Sequence, residues 1–383
     1  MHTLLRNCLT INLDNGNSEN IDLLIKEGKI ARIAQTIIDI PEDCEIMDID
    51  ERYVLPGFID CHTHLGIIEE SAGKIGIDNN ETSDSVTPHI RAIDAINTRD
   101  IAFNDAIKAG VTTVMITPGS NNAVGGLVAV IKTAGNIIDQ MIVRSPAGLK
   151  IALGENPITT YGVNNKCPVT RMGTAALVRE LFMKTEDYME EKKNGKLTKR
   201  DIRLEAVIPL LKGEISLRAH AHRADDIITA VRIAEEFKIE KLVIEHGTEA
   251  DLVADYLVER KIPVAFGPML TPRSKMELKN RGYGTILKLT KAGVKVSLIS
   301  DHPYNAIEQI RTIAALSVAE GLSEHQALKC LTINPAELLE CHQRVGLLHV
   351  GMDADMIVLT GKPFDLNSMV KLTIINGNVV YRK

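Results

Sequence analysis

The residues able to do chemistry are unevenly spread along this chain. Six of its eleven histidines (His62, His64, His220, His222, His246 and His302) fall where an apolar run ends. The run "GFIDCHTHLG" closes with His62 and His64 one residue apart, and "SLRAHAHRADD" repeats that spacing with His220 and His222. "KLVIEHG" ends in Glu245-His246, and "VSLISDHP" ends in Ser300-Asp301-His302. A further run, "GLKIALGEN", carries Lys150 inside and Glu155 at its end. Residues two apart on a strand point the same way, so each H-x-H pair can reach one ion. Imidazole nitrogens with one or two carboxylates suit zinc, and also iron, manganese or nickel. Taken singly, each feature has an ordinary explanation. His246 reads equally as a hydrogen-bonded polar residue, Asp301 as the N-cap of a following helix, and Lys150 as a strand-flanking lysine. Together, at four strand ends of one chain, they predict a metal site.

The elements that must position these residues alternate through the middle of the chain. "AIKAGVTTVMI" (106–116) and "LTKAGVKVSLI" (289–299) each read as an amphipathic helix, then Ala-Gly, then an apolar β-branched run. Gly110 and Gly293 suit the left-handed position that ends a helix. Candidate strands lie at 57–61, 111–116, 127–132, 148–153, 215–220, 241–245, 262–266 and 294–299. Continuous apolar runs are those of a parallel sheet covered on both faces. Eight such units predict an α/β fold closed as a (β/α)8 TIM barrel, with its site at the carboxyl ends of the strands. No Gly-rich dinucleotide fingerprint follows any of them, which disfavours an open doubly wound sheet. Residues 178–201 are highly charged and read as a helical excursion between the fourth and fifth strands: a solvated face, or else a lid or oligomer contact.

Both ends of the chain look different. "IDLLIKEGKIARIAQ" and "EIMDIDERYVLPG" near the start, and "VKLTIINGNVVYRK" near the end, are short β-type runs broken by turn signals such as Asn-Gly. They predict one small β-sandwich built from both termini.

Composition narrows the class. With 45% hydrophobic and 25% charged residues the chain has the balance of a soluble globular protein. A net charge of -6, with no basic stripe, argues against nucleic acid as a partner. The longest apolar runs are too short to span a bilayer, and the N-terminus lacks the apolar stretch and cleavage site of a signal peptide. The six cysteines have no C-x-x-C spacing and read as reduced thiols of a cytoplasmic protein.

These motifs, in this order, resemble those of the amidohydrolase superfamily of metal-dependent hydrolases, in its imidazolonepropionase-like and Xaa-Pro-dipeptidase-like branch. "VLPGFIDCHTHLG" is similar to the first-strand signature, "AGVTTV" to the second, "RAHAH" to the fifth, "IEHG" to the sixth and "SDHP" to the eighth. "VGLLHVGMDADMIVL" resembles the segment that returns the chain to the sandwich. The resemblance implies a barrel over 56–345, flanked by sandwich parts at 1–55 and 346–383. It implies that His62, His64 and Asp301 bind one divalent transition metal, zinc being the first choice. His220 and His246 would bind a second ion, or serve the substrate in a one-metal site. His222 is the alternative fifth-strand ligand and otherwise a substrate contact. Two bridging groups are open: Glu155, preferred because it needs no modification, and Lys150 in carboxylated form.

The implied reaction is cleavage of a C–N bond in an amide, cyclic amide or Xaa-Pro-type dipeptide by metal-activated hydroxide. Asp301 would act as general base then general acid, and His246 or His222 would stabilise the oxyanion. Arg171, Arg223 and Arg273, in or near the loops after the strands, are candidate partners for a carboxylate on a small-molecule substrate. Ion pairs with neighbours such as Asp225 are the plainer reading of each. Deamination of an aminoheterocycle is the alternative reaction, disfavoured because Ala224-Asp225-Asp226 stands where the family's deaminases often carry a glutamate. A non-catalytic scaffold is the alternative of another class, and a homo-oligomer is compatible with either.

Overall fold

The computed structural model describes residues 2–383. The chain begins with strands β1 (His2–Ile11), β2 (Ser18–Lys26), β3 (Lys29–Ala34), β4 (Cys44–Asp48) and β5 (Tyr53–Pro56). The barrel strands follow: β6 (Phe58–Thr63), β7 (Val111–Ile116), β8 (Val124–Lys132), β9 (Ile142–Ala152), β10 (Ser216–Ala221), β11 (Leu242–His246), β12 (Val264–Phe266) and β13 (Val296–Leu298). They lie side by side in chain order, and each overlaps one expected strand.

One strand runs against the expected direction. Pairing is parallel from β6 to β7 and from β9 through β13, but β8 is antiparallel to both β7 and β9. The all-parallel (β/α)8 reading is corrected at this point. Residues 117–123 and 133–141 make the two connections, each shorter than the dozen or so residues a parallel crossover needs. A strand buried on both faces is apolar whichever way it runs, so its composition carries no sign of direction.

The eight strands form a nearly closed barrel. At the seam between β6 and β13, Asp301 N donates to His62 O (3.2 Å) and His64 N donates to His302 O (2.8 Å). Lower down, the buried Asp60 carboxylate accepts from Ser300 N (3.1 Å) and from Ser300 Oγ. Helices cover the outside through a large apolar layer that includes Val114, Leu149, Leu217, Ile244 and Leu298. Ile59, Cys61, Met115, Val243 and Ala265 belong to a separate, smaller apolar cluster. Between helix and strand, Gly293 sits at φ +97°, the left-handed C-cap expected for it. The charged excursion is helical up to Lys193, within the helix Arg171–Lys193, and residues 194–201 then connect it to the helix Ile202–Leu211. Thr170 Oγ1 caps the first by accepting from Gly173 N, while Val178, Leu181 and Phe182 bury an apolar stripe. No helix among the described residues is long and apolar enough to cross a membrane.

Strands β14 (Met356–Leu359), β15 (Val370–Ile375) and β16 (Asn378–Arg382) join β1–β5. Strand β5 is the junction, antiparallel to β14 and bridged to β1 at Leu9–Tyr53. The two ends therefore share one hydrogen-bonded sheet, with its own core around Leu5, Leu23, Val54, Met356 and Leu372.

A buried ion network ties this sheet to the barrel. Lys132, at the end of β8, sits 2.5 Å from Asp355 Oδ2 and 3.0 Å from Asp353 Oδ2, and Asp353 also pairs with Lys29 and Arg344. Removing one partner of a buried pair strands the other charge. Lys132→Met is therefore expected to lower stability by about 3–5 kcal/mol, read by denaturant unfolding. An unchanged midpoint would mean that this network does not hold the two parts together.

Candidate metal centre

The barrel's carboxyl end brings the strand-end histidines into one cluster. His62 and His64 end β6 where its register against β7 shifts, between Asp60 and Thr63. On the β10–β11 ladder His220 stands level with Glu245, and Ala221 with His246. Strict alternation would send Glu245 and His246 to opposite faces. His246 instead has φ +74°, and Asp301 after β13 has φ +55°. Such values are uncommon outside glycine, and strained residues of this kind gather at functional sites. Here the turned backbone lets Glu245 and His246 both approach His62.

The distances define two overlapping groups. His62, His246 and Asp301 offer atoms within 4.8 Å of one another, and so do His220, His222 and His246. Asp301 Oδ1 lies 3.3 Å from Nε2 of both His62 and His64. Lys150 Nζ lies 3.5 Å from His62 Nε2. None of these residues is more than 7% exposed.

Hydrogen bonds to the far ring nitrogens determine which nitrogen is free. His64 Nδ1 meets Thr117 O at 2.7 Å, and His246 Nδ1 meets Gly267 O at 2.9 Å. A carbonyl only accepts, so both Nδ1 atoms carry the proton and both Nε2 atoms keep a lone pair. His62 Nδ1 meets the Glu245 carboxylate at 2.6 Å with the same consequence. Two buried atoms, His220 Nδ1 and Asp301 Oδ1, have no hydrogen-bond partner at all. Unpartnered buried polar atoms are rare and call for a ligand. Convergent imidazole lone pairs, a carboxylate oxygen and two orphaned donor atoms fit a divalent transition metal.

Electrostatics favour the ligating forms of all these imidazoles but His62, whose pKa, against the lowering effect of burial and Lys150, is raised by Glu245 and Asp301. Burial holds His220 and His222 well below the ordinary imidazole pKa and takes His246 down to about 3, so all three are neutral. Burial alone would raise the Asp301 carboxyl, but the imidazoles of His62 and His64 beside it hold it well below the usual range. Burial also lowers the Lys150 amine to about 8, against the opposing pull of Glu245 and Asp301.

Above the cluster opens a cleft of about 460 Å³. Its walls include Asn79, Asn80, Asn121, Asn156, Lys275 and Tyr304, none of which the sequence patterns singled out. A larger surface groove of about 780 Å³ runs between residues 81–90 and 197–204, away from these ligands. The convergent histidines and Asp301 line the smaller one.

Some expected site residues are not brought here. Glu155 starts the helix Glu155–Gly162, because Gly154 at φ +87° turns the chain out of β9. Its carboxylate accepts from Glu277 N at 3.0 Å, outside both groups. Lys150 occupies the place expected for it. Arg171 pairs with Asp226, Arg223 with Asp225, and Arg273 donates to Arg281 O. None of the three is among the residues lining the cleft. His302 turns aside, its Nδ1 accepting from Ile307 N. Glu277, by contrast, is buried 3.8 Å from Nε2 of both His220 and His222, and is held by Lys275 at 2.5 Å. No periodicity marks these two loop residues in the sequence.

The chain is similar in sequence and fold to known proteins. A solved amidohydrolase from Thermotoga maritima MSB8 is 44% identical, superposes with a TM-score of 0.96, and matches over 100% of both chains. The amidohydrolase tasK of Hapsidospora irregularis is 27% identical over 94% of this chain, which spans only 40% of tasK's length. An imidazolonepropionase of Thermoplasma acidophilum is 23% identical over 95% of this chain and 90% of its own. A solved Xaa-Pro dipeptidase with bound methionine shares the fold, at 16% identity and a TM-score of 0.63 over 100% of both chains. The family model for the amidohydrolase family matches residues 53–380, and the chain belongs to that family.

Proposed function

We propose that this protein is a metal-dependent hydrolase of C–N bonds, acting on a small amide, a cyclic amide or an Xaa-Pro-type dipeptide. One observation carries the reading. The Nδ1 atoms of His62, His64 and His246 are tied to acceptors, so that their lone pairs meet an unpartnered Asp301 oxygen beneath a cleft. His62, His64 and Asp301 would hold one divalent ion, zinc being the first choice, with His220 and His246 holding a second. Lys150 is the bridging candidate. It is buried with no carboxylate partner of its own, and an uncharged amine adds to carbon dioxide to give the carboxylate that Glu155 does not supply. When bound, such ions lower the pKa of a water towards about 7 and polarise a carbonyl.

The chain's own residues do the rest. Asp301, whose Oδ1 has no hydrogen-bond partner, would take a proton from water and return it to the departing nitrogen. His222, fixed through Nδ1 to Thr248 Oγ1 at 2.7 Å, presents its other nitrogen to a substrate. Asn79, Asn80 and Asn121 offer carboxamides from the cleft wall. The six free cysteines suit a reducing compartment such as the cytoplasm.

Deamination of an aminoheterocycle is the second reading, favoured by Glu277 beside His220 and His222. A panel of amides, lactams, dipeptides and aminoheterocycles, assayed with zinc, decides between them. Amine or carboxylate release from an amide supports hydrolysis, whereas ammonia from heterocycles alone supports deamination. A zinc-loaded protein inert to every class would contradict both. Glu155→Gln is expected to leave the metal content unchanged, because a glutamine carbonyl can also accept from Glu277 N. Loss of metal in that variant, measured by elemental analysis, would return Glu155 to the ligand set.

A further inference from the structure

Two charged side chains lie beneath the metal centre without belonging to it. Arg218 and Glu245 are both completely buried. Arg218 precedes His220 by two residues on β10, level with Lys150 on β9 and Val243 on β11. Its Nε lies 2.5 Å from Glu245 Oε1, its Nη2 donates to Cys61 O at 3.1 Å, and its Nη1 donates to Leu338 O at 3.1 Å. The other Glu245 oxygen, Oε2, accepts from His62 Nδ1 at 2.6 Å. Arg218 thus holds β6 twice: by the carbonyl just before His62, and by the His62 ring through Glu245.

We propose that Arg218 and Glu245 form a positioning relay for His62, fixing its ring and strengthening its Nε2 as a metal ligand. The relay rests on the metal-centre reading given above. His64 and His246 lean on neutral backbone carbonyls, whereas His62 leans on an ionised carboxylate held by a buried guanidinium. Packing alone does not account for this choice. A buried ion pair is often replaceable by apolar groups of the same volume without loss of stability. A carboxylate behind a ligating imidazole raises its basicity, and removing such a partner weakens metal binding about 10–100-fold.

Two double variants of the full chain separate these roles without leaving an unpaired buried charge. R218M/E245Q keeps an acceptor for His62 Nδ1 but removes both charges, and R218M/E245L removes the acceptor as well. Each is stripped with a chelator, checked for its melting temperature, and titrated with zinc against a chromophoric chelator. The cobalt-loaded visible spectrum reports the coordination geometry independently. Zinc affinity is expected to fall about 10-fold in the first variant and nearer 100-fold in the second, with an altered cobalt spectrum. Wild-type affinity and spectrum in a folded R218M/E245L protein would overturn the relay alone. A wild-type chain that takes up neither zinc nor cobalt would overturn the metal centre and the relay with it.

Discussion

Asp301→Asn is expected to lower kcat by about two to four orders of magnitude while the fold survives. The Asp301 Oδ1 atom lies 3.3 Å from both His62 Nε2 and His64 Nε2 and makes no hydrogen bond. The carboxylate is therefore placed to take a proton from water at the floor of the cleft. Asparagine matches the shape but offers no oxygen that can carry a proton through the reaction. The variant must be assayed at saturating metal, because the same side chain is a ligand candidate and a fall in occupancy would mimic a fall in rate. Circular dichroism then confirms the fold, and product release gives kcat. Near-normal turnover would remove Asp301 from proton transfer.

Lys150→Met should be almost as damaging, for a different reason. A lysine at 1% exposure among imidazoles, with no carboxylate of its own, is a poor place for an ordinary ammonium. Methionine fills a similar volume, so the barrel interior stays packed while the bridging group is lost. Turnover is expected to drop by about 100-fold or more, together with the second equivalent of bound metal. Carbon-13 bicarbonate supplied during metal loading should label a carbamate in the wild-type protein and not in the variant. Full metal content in Lys150→Met would exclude it as the bridge.

Much of this centre was legible in the sequence, because strand-end chemistry follows a rule of position. Apolar runs marked all eight barrel strands, and the polar residues closing those runs include His62, His64, His220, His246 and Asp301. The direction of β8 was not legible, since a doubly buried strand has no polar face to orient it. Glu155 was preferred because a free carboxylate needs no modification, but the turn at Gly154, with φ +87°, starts a helix at Glu155 and carries its carboxylate to Glu277 N. For the arginines the sequence offered a substrate carboxylate or an ion pair with a neighbour, and the ion pair describes Arg223 and Arg171. Asp225 lies two residues from Arg223, but Asp226 meets Arg171 from another helix. Glu277 and Lys275 were missed altogether, as loop residues whose importance comes only from where the chain folds back over His220 and His222.

The most direct test is the transition-metal content of the full chain, purified without chelators, beside that of His62→Ala/His64→Ala. Expected for the wild type is about one to two equivalents of a divalent transition metal per chain, zinc foremost, falling sharply in the folded double variant. A folded wild-type protein containing no such metal, or a double variant retaining all of it, would contradict a metal centre built on His62, His64 and Asp301.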